Sequence, residues 1–175
     1  MPHHFETEQF LPYPLETVFT FFADPANLPR LMPAWRSARL EDAMYIFPPR
    51  PQPAFAGCDA IIAGDGTRLT LSLRPFPFSP LRVRWVAMIE EFKWLEGFCD
   101  LQVRGPFQYW RHCHEASAAT AASGEPGTLL RDVVDYELPL GPLGRIANAV
   151  FVRRQIASTF RFRQRRTLEL LKLHG

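Results

Sequence analysis

Residues 142–175 read PLGRIANAVFVRRQIASTFRFRQRRTLELLKLHG. Pro142 stands where a first helical turn tolerates proline, no proline follows it, and Gly144 is the one glycine before Gly175. The stretch therefore predicts a single long helix over 142–172. At about 100° per residue, Leu143, Ile146, Ala147, Val150, Ala157, Phe160, Leu168 and Leu171 fall in one stripe that something must cover. The stripe also holds Arg153, Arg161 and Gln164, which a hydrocarbon core accepts only at a cost unless they find partners. A stripe interrupted in this way predicts a helix lying over a cavity. The segment carries Arg145, Arg153, Arg154, Arg161, Arg163, Arg165, Arg166 and Lys172 against Glu169 alone. That is a local charge of about +7 in a chain whose total is +2, so the remainder is mildly acidic.

Working outward, the preceding chain alternates in short runs. Residues 3–11 read as a strand closed by Pro12 and Pro14, and Leu15, Val18, Phe19 and Phe22 then sit at helical spacing. Asp24-Pro25 caps a second short helix running to Leu31. Strands are expected over 37–47, 60–74, 82–94, 98–104, 107–116 and 128–138, with the proline-rich PPRPQPAFAG (48–57) as a loop that could gate an opening. Strand, two short helices, six strands and one long helix make an α+β arrangement. An antiparallel sheet of this kind, twisted and curved, wraps a single helix and leaves an interior pocket.

Bulk properties narrow the function classes. The 175 residues suit one domain, 1–175, with 47% hydrophobic and 22% charged side chains. No apolar run approaches the roughly 20 residues that span a bilayer, and MPHHFETEQ lacks the features of a signal peptide. Cys58, Cys99 and Cys113 are odd in number and unpatterned, which reads as reduced thiols in a cytoplasmic protein. The arginines of the last helix do not make a nucleic-acid protein. The overall pI is about 8.6, no recognition motif is present, and helix C-termini favour cations in any case. Neither a GxGxxG fingerprint nor a GxSxG elbow occurs.

The run FVRRQIASTF in the last helix, and FCDLQVRGPFQYWRHCHE followed by RDVVDYELPLGPLG, resemble the SRPBCC or START-like superfamily. That superfamily includes polyketide cyclases and the major birch pollen allergen, and the likeness is nearest to its bacterial members of unassigned activity. The resemblance implies a helix-grip fold: a seven-stranded antiparallel sheet curved around a long C-terminal helix, with two short helices after the first strand. It also implies a hydrophobic cavity between sheet and helix and no cofactor. Some relatives carry epimerase-like domains, and this chain contains none.

The residues with most to say chemically lie in WRHCHE (110–115). In a strand, Trp110, His112 and His114 share one face, while Arg111, Cys113 and Glu115 share the other. If 107–116 and 128–138 form a hairpin with paired numbers summing to about 244, His112 stands near Asp132 and Trp110 near Val134, on the face of Tyr136. Asp100 and Gln102 would lie alongside. A His–Asp pair there is either a general acid-base pair or a buried histidine satisfied by an aspartate. His112 and His114 with Asp132 make an incomplete ligand set, so no metal is expected. The residues expected to contact a ligand are Trp85, Trp94, Trp110, His112, His114, Asp132, Tyr136, Arg153 and Phe160. The first functional reading is binding of a small hydrophobic molecule, a lipid or polyketide-like ring. The second is a cyclase or dehydratase using His112 and Asp132 as catalytic residues, and the third is a protein-interaction module whose partner the sequence does not name.

Overall fold

Each alternating stretch can bury only one of its two faces, and the chain solves this with one antiparallel sheet. The computed structural model describes residues 2–49 and 60–173, so Cys58 and most of the proline-rich loop lie outside the described residues. The strands are β1 (His3–Leu11), β2 (Arg39–Met44), β3 (Arg68–Leu73), β4 (Val83–Lys93), β5 (Gly97–Arg104), β6 (Tyr109–Thr120) and β7 (Pro126–Glu137). Their spatial order is β1-β7-β6-β5-β4-β3-β2, so the first and last strands pair with each other. The expected strand over 60–74 forms only from Arg68, because residues 60–67 make a turn in which Thr67 bonds the backbone of Ile46.

Helix α1 (Leu15–Ala23) follows β1, and the second short helix of the sequence reading resolves into two 3₁₀ turns, Pro25–Asn27 and Pro29–Leu31. Two prolines so close together leave too few amide donors for a continuous α-helix. The Asp24 side chain caps the first turn by accepting from the Ala26 amide at 2.9 Å. Val18, Phe19, Phe21 and Phe22 of α1 join Leu11, Ile62, Leu130, Leu170 and Leu171 in the larger core cluster.

The long helix is helical throughout but not uniform. α2 (Pro142–Ala147) passes through a π turn (Asn148–Val152) into α3 (Arg153–Leu171). Asn148 is buried in that turn and accepts a 2.7 Å hydrogen bond from the Tyr136 hydroxyl, which fixes the irregular segment to β7. The buried face of α3 runs through Ile156, Phe160, Thr167, Leu170 and Leu171. This corrects the predicted stripe: Leu143, Ile146 and Val150 are 66%, 61% and 65% exposed. The face that meets the sheet is turned by nearly one residue from the face that hydrophobic counting selects, because polar Arg163 and Thr167 belong to it.

A second correction concerns the cysteines. Cys99 of β5 lies directly opposite Cys113 of β6, and the two form a disulfide on the sheet face away from the helix. Counting cysteines along the chain misses a pair that strand register creates. A disulfide also belongs to oxidising surroundings, so the cysteines cease to argue for the cytoplasm. Gly97, at the start of β5, lets the same two strands approach: a Cβ there would stand 2.2 Å from the His114 carbonyl oxygen. Among the described residues no helix is long and apolar enough to cross a membrane.

Reduction of the denatured protein is expected to release two thiols beyond those already free, read by thiol titration. Removal of the bridge in Cys99→Ala/Cys113→Ala should lower stability by about 3 kcal/mol, the loss expected for a closed loop of this length. An unchanged thiol count on reduction would disprove the pairing.

Candidate functional site

Antiparallel pairing brings the site together from three adjacent strands. In β6 and β7 the paired numbers sum to 246, so Trp110 faces Tyr136, His112 faces Val134 and His114 faces Asp132. The register is two residues from the expected one, a shift that keeps every side chain on its face. Asp132 consequently sits between both histidines. Its Oδ1 is 2.9 Å from His112 Nε2 and 2.7 Å from His114 Nδ1, the second contact lacking hydrogen-bond alignment. On the other side, β5 places Asp100 opposite His112, with Oδ2 3.1 Å from His112 Nδ1. Gln102 is not in the cluster. It turns to the backbone of Phe107 and closes the β5–β6 connection.

Burial makes these contacts consequential. His112, His114 and Asp132 are 4%, 5% and 3% exposed, so a charge on any of them must be compensated within the protein. Both ring nitrogens of His112 face carboxylates, which only a doubly protonated ring satisfies. Burial alone would lower its pKa, but Asp100 and Asp132 outweigh burial and raise it above the ordinary 6.5. His114 is the opposite case. Arg163 of α3 directs its guanidinium NH2 at His114 Nε2, 3.3 Å away, and a guanidinium can only donate, so that nitrogen carries no proton. Burial, with the His112 and Arg163 charges, holds His114 down to about 4. Asp132 lies well below the usual carboxylate range, because the neighbouring histidines and Arg163 outweigh its burial. Asp100 is lowered in the same way, chiefly by His112.

In front of this cluster, between the sheet and α3, lies a cavity of about 350 Å³. Leu69, Leu71 and Leu73 of β3 and Trp85 and Ile89 of β4 form much of one wall, and Ile156 and Phe160 of α3 face them. Trp85, Trp110, His112, His114 and Phe160, all named from the sequence, line it. Asp132 stands behind the histidines. It was expected to touch a ligand and does not line the cavity, and three further expected contacts are also misplaced. Trp94 packs with Phe19 and Phe92 and donates to the Pro49 carbonyl at 2.7 Å, because the β4–β5 turn carries it beyond the cavity. Tyr136 is buried against Phe107 and Trp110 and spends its hydroxyl on Asn148. Arg153 is exposed and does not line the cavity.

Sequence reading missed Arg36 and Arg163, which both line the cavity. Arg163 could have been found from its spacing, three residues after buried Phe160 and four before buried Thr167, which puts it on the same helix face. Arg36 has no such signal, being placed by a short 3₁₀ turn, Ala34–Arg36, ahead of β2.

Asp100, His112 and His114 present ligand atoms within 4.8 Å of one another, with Asp100 in place of the Asp132 considered from the sequence. Two histidines and a carboxylate suit several divalent metals. Here a guanidinium already occupies His114 Nε2, and His112 is protonated on both nitrogens, so a cation would have to displace a proton and an arginine together.

No protein-family model matches the sequence, and no curated protein matches it. Solved structures do match. The crystal structure of Ara h 8.0201 aligns over 100% of both chains at a TM-score of 0.59 and 14% identity. A START superfamily protein from Mycobacterium smegmatis aligns over 99% of both at 0.60 and 11%. A nucleoside-diphosphate sugar epimerase from Corynebacterium glutamicum matches 96% of this chain with 29% of its own, at 0.58 and 21%. At these identities the likeness establishes the fold, which is the START-like helix-grip fold.

Two histidine titrations should separate cleanly by NMR. His112 should remain imidazolium above pH 6.5, and His114 should stay neutral down to about pH 4. Stability follows with opposite signs. Between pH 6.5 and about 4 the unfolded chain binds a His114 proton that the folded chain refuses, so stability falls on acidification. The His112 contribution is whole below 6.5 and is lost as pH rises through its elevated pKa. Asp132→Ala, which strips the cluster of its shared carboxylate, should cost about 3–5 kcal/mol in denaturant unfolding. A loss below ~1 kcal/mol would mean that the cluster is not paired as described.

Proposed function

We propose that the protein binds a small hydrophobic molecule in the cavity between the sheet and α3. The observation that carries this reading is the cavity itself. At about 350 Å³ it lies within the roughly 300–1,000 Å³ of small-molecule sites, and its wall is mostly hydrocarbon and aromatic ring with a few polar groups around His112. The large aromatics named from the sequence do not fill it. Trp85 and Trp110 stack on one another edge to face at 5.2 Å and so leave the space between sheet and helix open. A lipid or polyketide-like ring is the chemical class that such a wall accommodates.

A second reading, a cyclase or dehydratase, rests on the 2.9 Å contact between His112 and Asp132 beside the cavity. For His112 to act as a general base it must release a nitrogen, and both are held by carboxylates. Proton transfer would therefore require Asp100 to leave Nδ1 when substrate binds. An interaction role would instead use the exposed apolar face of Leu143, Ile146 and Val150.

Ala87 of β4 is buried and lines the cavity, so Ala87→Phe places a ring in the ligand space. The neutral apolar fluorophore N-phenyl-1-naphthylamine should bind the wild type and bind Ala87→Phe at least about tenfold more weakly, a difference of about 1.4 kcal/mol. Equal binding would place the dye elsewhere and remove the cavity reading. Native mass spectrometry with organic extraction identifies any copurified ligand. With that ligand in hand, His112→Ala separates the first two readings: turnover lost with affinity retained marks catalysis.

A further inference from the structure

We infer that the cavity's ligand is an amphiphile with a single anionic head, a carboxylate or a phosphate, held by the guanidiniums of Arg163 and Arg36. This deepens the binding reading above and rests on it. The argument begins with unmet hydrogen-bonding capacity. Both Arg163 and Arg36 line the cavity, and the Nε of each is buried without a hydrogen-bond partner. A buried guanidinium ordinarily pairs with a carboxylate. Among the described residues neither makes a direct ion pair, although Asp100 and Asp132 lie near enough to Arg163 to feel its charge: Arg163 hydrogen-bonds only His114 Nε2 at 3.3 Å, and Arg36 only the Thr159 hydroxyl at 3.5 Å. Phe22 and Phe160 lie against the Arg163 guanidinium, and Trp35 against that of Arg36, so aromatic faces cover one side of each half-buried guanidinium.

Charge gives the same answer independently. The groups gathered at this end of the cavity are Arg36, Arg163 and His112, all cationic, against Asp100 and Asp132, with His114 neutral. One positive charge remains uncompensated in a largely apolar space, and burial pushes the Arg36 guanidinium down from its ordinary value. A monoanion restores neutrality. The spacing also suits a single head group. Arg36 touches α3 at Thr159, four residues or about one helical turn of ~5.4 Å before Arg163, so a forked oxyanion spans the two. The apolar body of the ligand then lies along Leu71, Leu73 and Trp85.

The test uses three amphiphiles with the same chain, namely decanol, decanoate and decyl phosphate, titrated at pH 7 and read by calorimetry and by tryptophan fluorescence. The pair 2-naphthol and 2-naphthoate repeats the comparison on a rigid body. For the wild type we expect one of the anions to bind at least about tenfold more tightly than its neutral counterpart. The better of decanoate and decyl phosphate identifies the head group. Arg163→Gln and Arg36→Gln should each remove about fivefold or more of that preference while leaving decanol affinity within about twofold. Arg163→Lys, which keeps the charge but loses the fork, should retain part of it and serves if Arg163→Gln does not fold. Equal binding of acids and alcohols by the wild type overturns the anionic head and leaves the hydrophobic-ligand reading intact. A preference that survives both glutamine substitutions overturns the assignment to these arginines. Binding of none of the five compounds removes both readings.

Discussion

Asp132 is a carboxylate in a place where water does not reach, and such a group must be compensated by the protein around it. Its single oxygen Oδ1 faces both His112 and His114, and the demands of those rings propagate outward. His112 has a carboxylate at each nitrogen and must be charged. His114 has a guanidinium at one nitrogen and must not be. The second requirement ties α3 to the sheet in rotation as well as in distance, because only the face bearing Arg163 supplies the donor. Packing against leucines alone would tolerate a helix turned by one residue. The polar cluster does not, and this is how the molecule keeps one arrangement of helix on sheet.

That arrangement also decides which polar atoms a guest molecule meets. Three of the four imidazole nitrogens are engaged, by Asp100, Asp132 and Arg163, and the fourth, His114 Nδ1, is turned towards Asp132 and away from the cavity. What remains for a ligand is unspent capacity on the two guanidiniums and the exposed edge of Asp100, whose side chain is 22% accessible. Electrostatic recognition follows from this more directly than proton transfer. A group already engaged by its neighbours reacts only after something moves, whereas a group with open donors binds as it stands.

The fold was legible in the sequence to a large degree, for a physical reason. Leu69, Leu71 and Leu73 alternate with polar residues, and β7 buries every second side chain from Thr128 to Tyr136, so periodicity reports the strands directly. The His–Asp contact was also legible, because a hairpin register wrong by two residues still keeps both groups on one face. Helix phase was not, since it depends on Arg163 and Thr167, which a count of apolar residues discards. Arg36 and the Cys99–Cys113 bridge were invisible for another reason. Each is defined by a partner far along the chain, Thr159 in one case and the opposite strand in the other. Trp94 was misplaced because a turn redirected it out of the alternation that had located Trp85.

The pairing of β1 with β7 sets the terms on which this molecule can assemble. His3 meets Tyr136 and Leu11 meets Thr128, so the first strand waits for residues more than a hundred positions downstream. On a ribosome the N-terminal strand must therefore remain unpaired until most of the chain has emerged, its edge and the side chains of Phe5, Phe10 and Leu11 open to other chains. Sheets built from such distant partners fold on the scale of about milliseconds to seconds, because the entropy of closing the long loop is spent before any contact repays it. Closure of β1 onto β7 comes with docking of Gln164 onto Thr7 and Glu8. The wall of β3 and β4 pairs locally, whereas the far side of the enclosed space is completed only when β1 and the long helix come together.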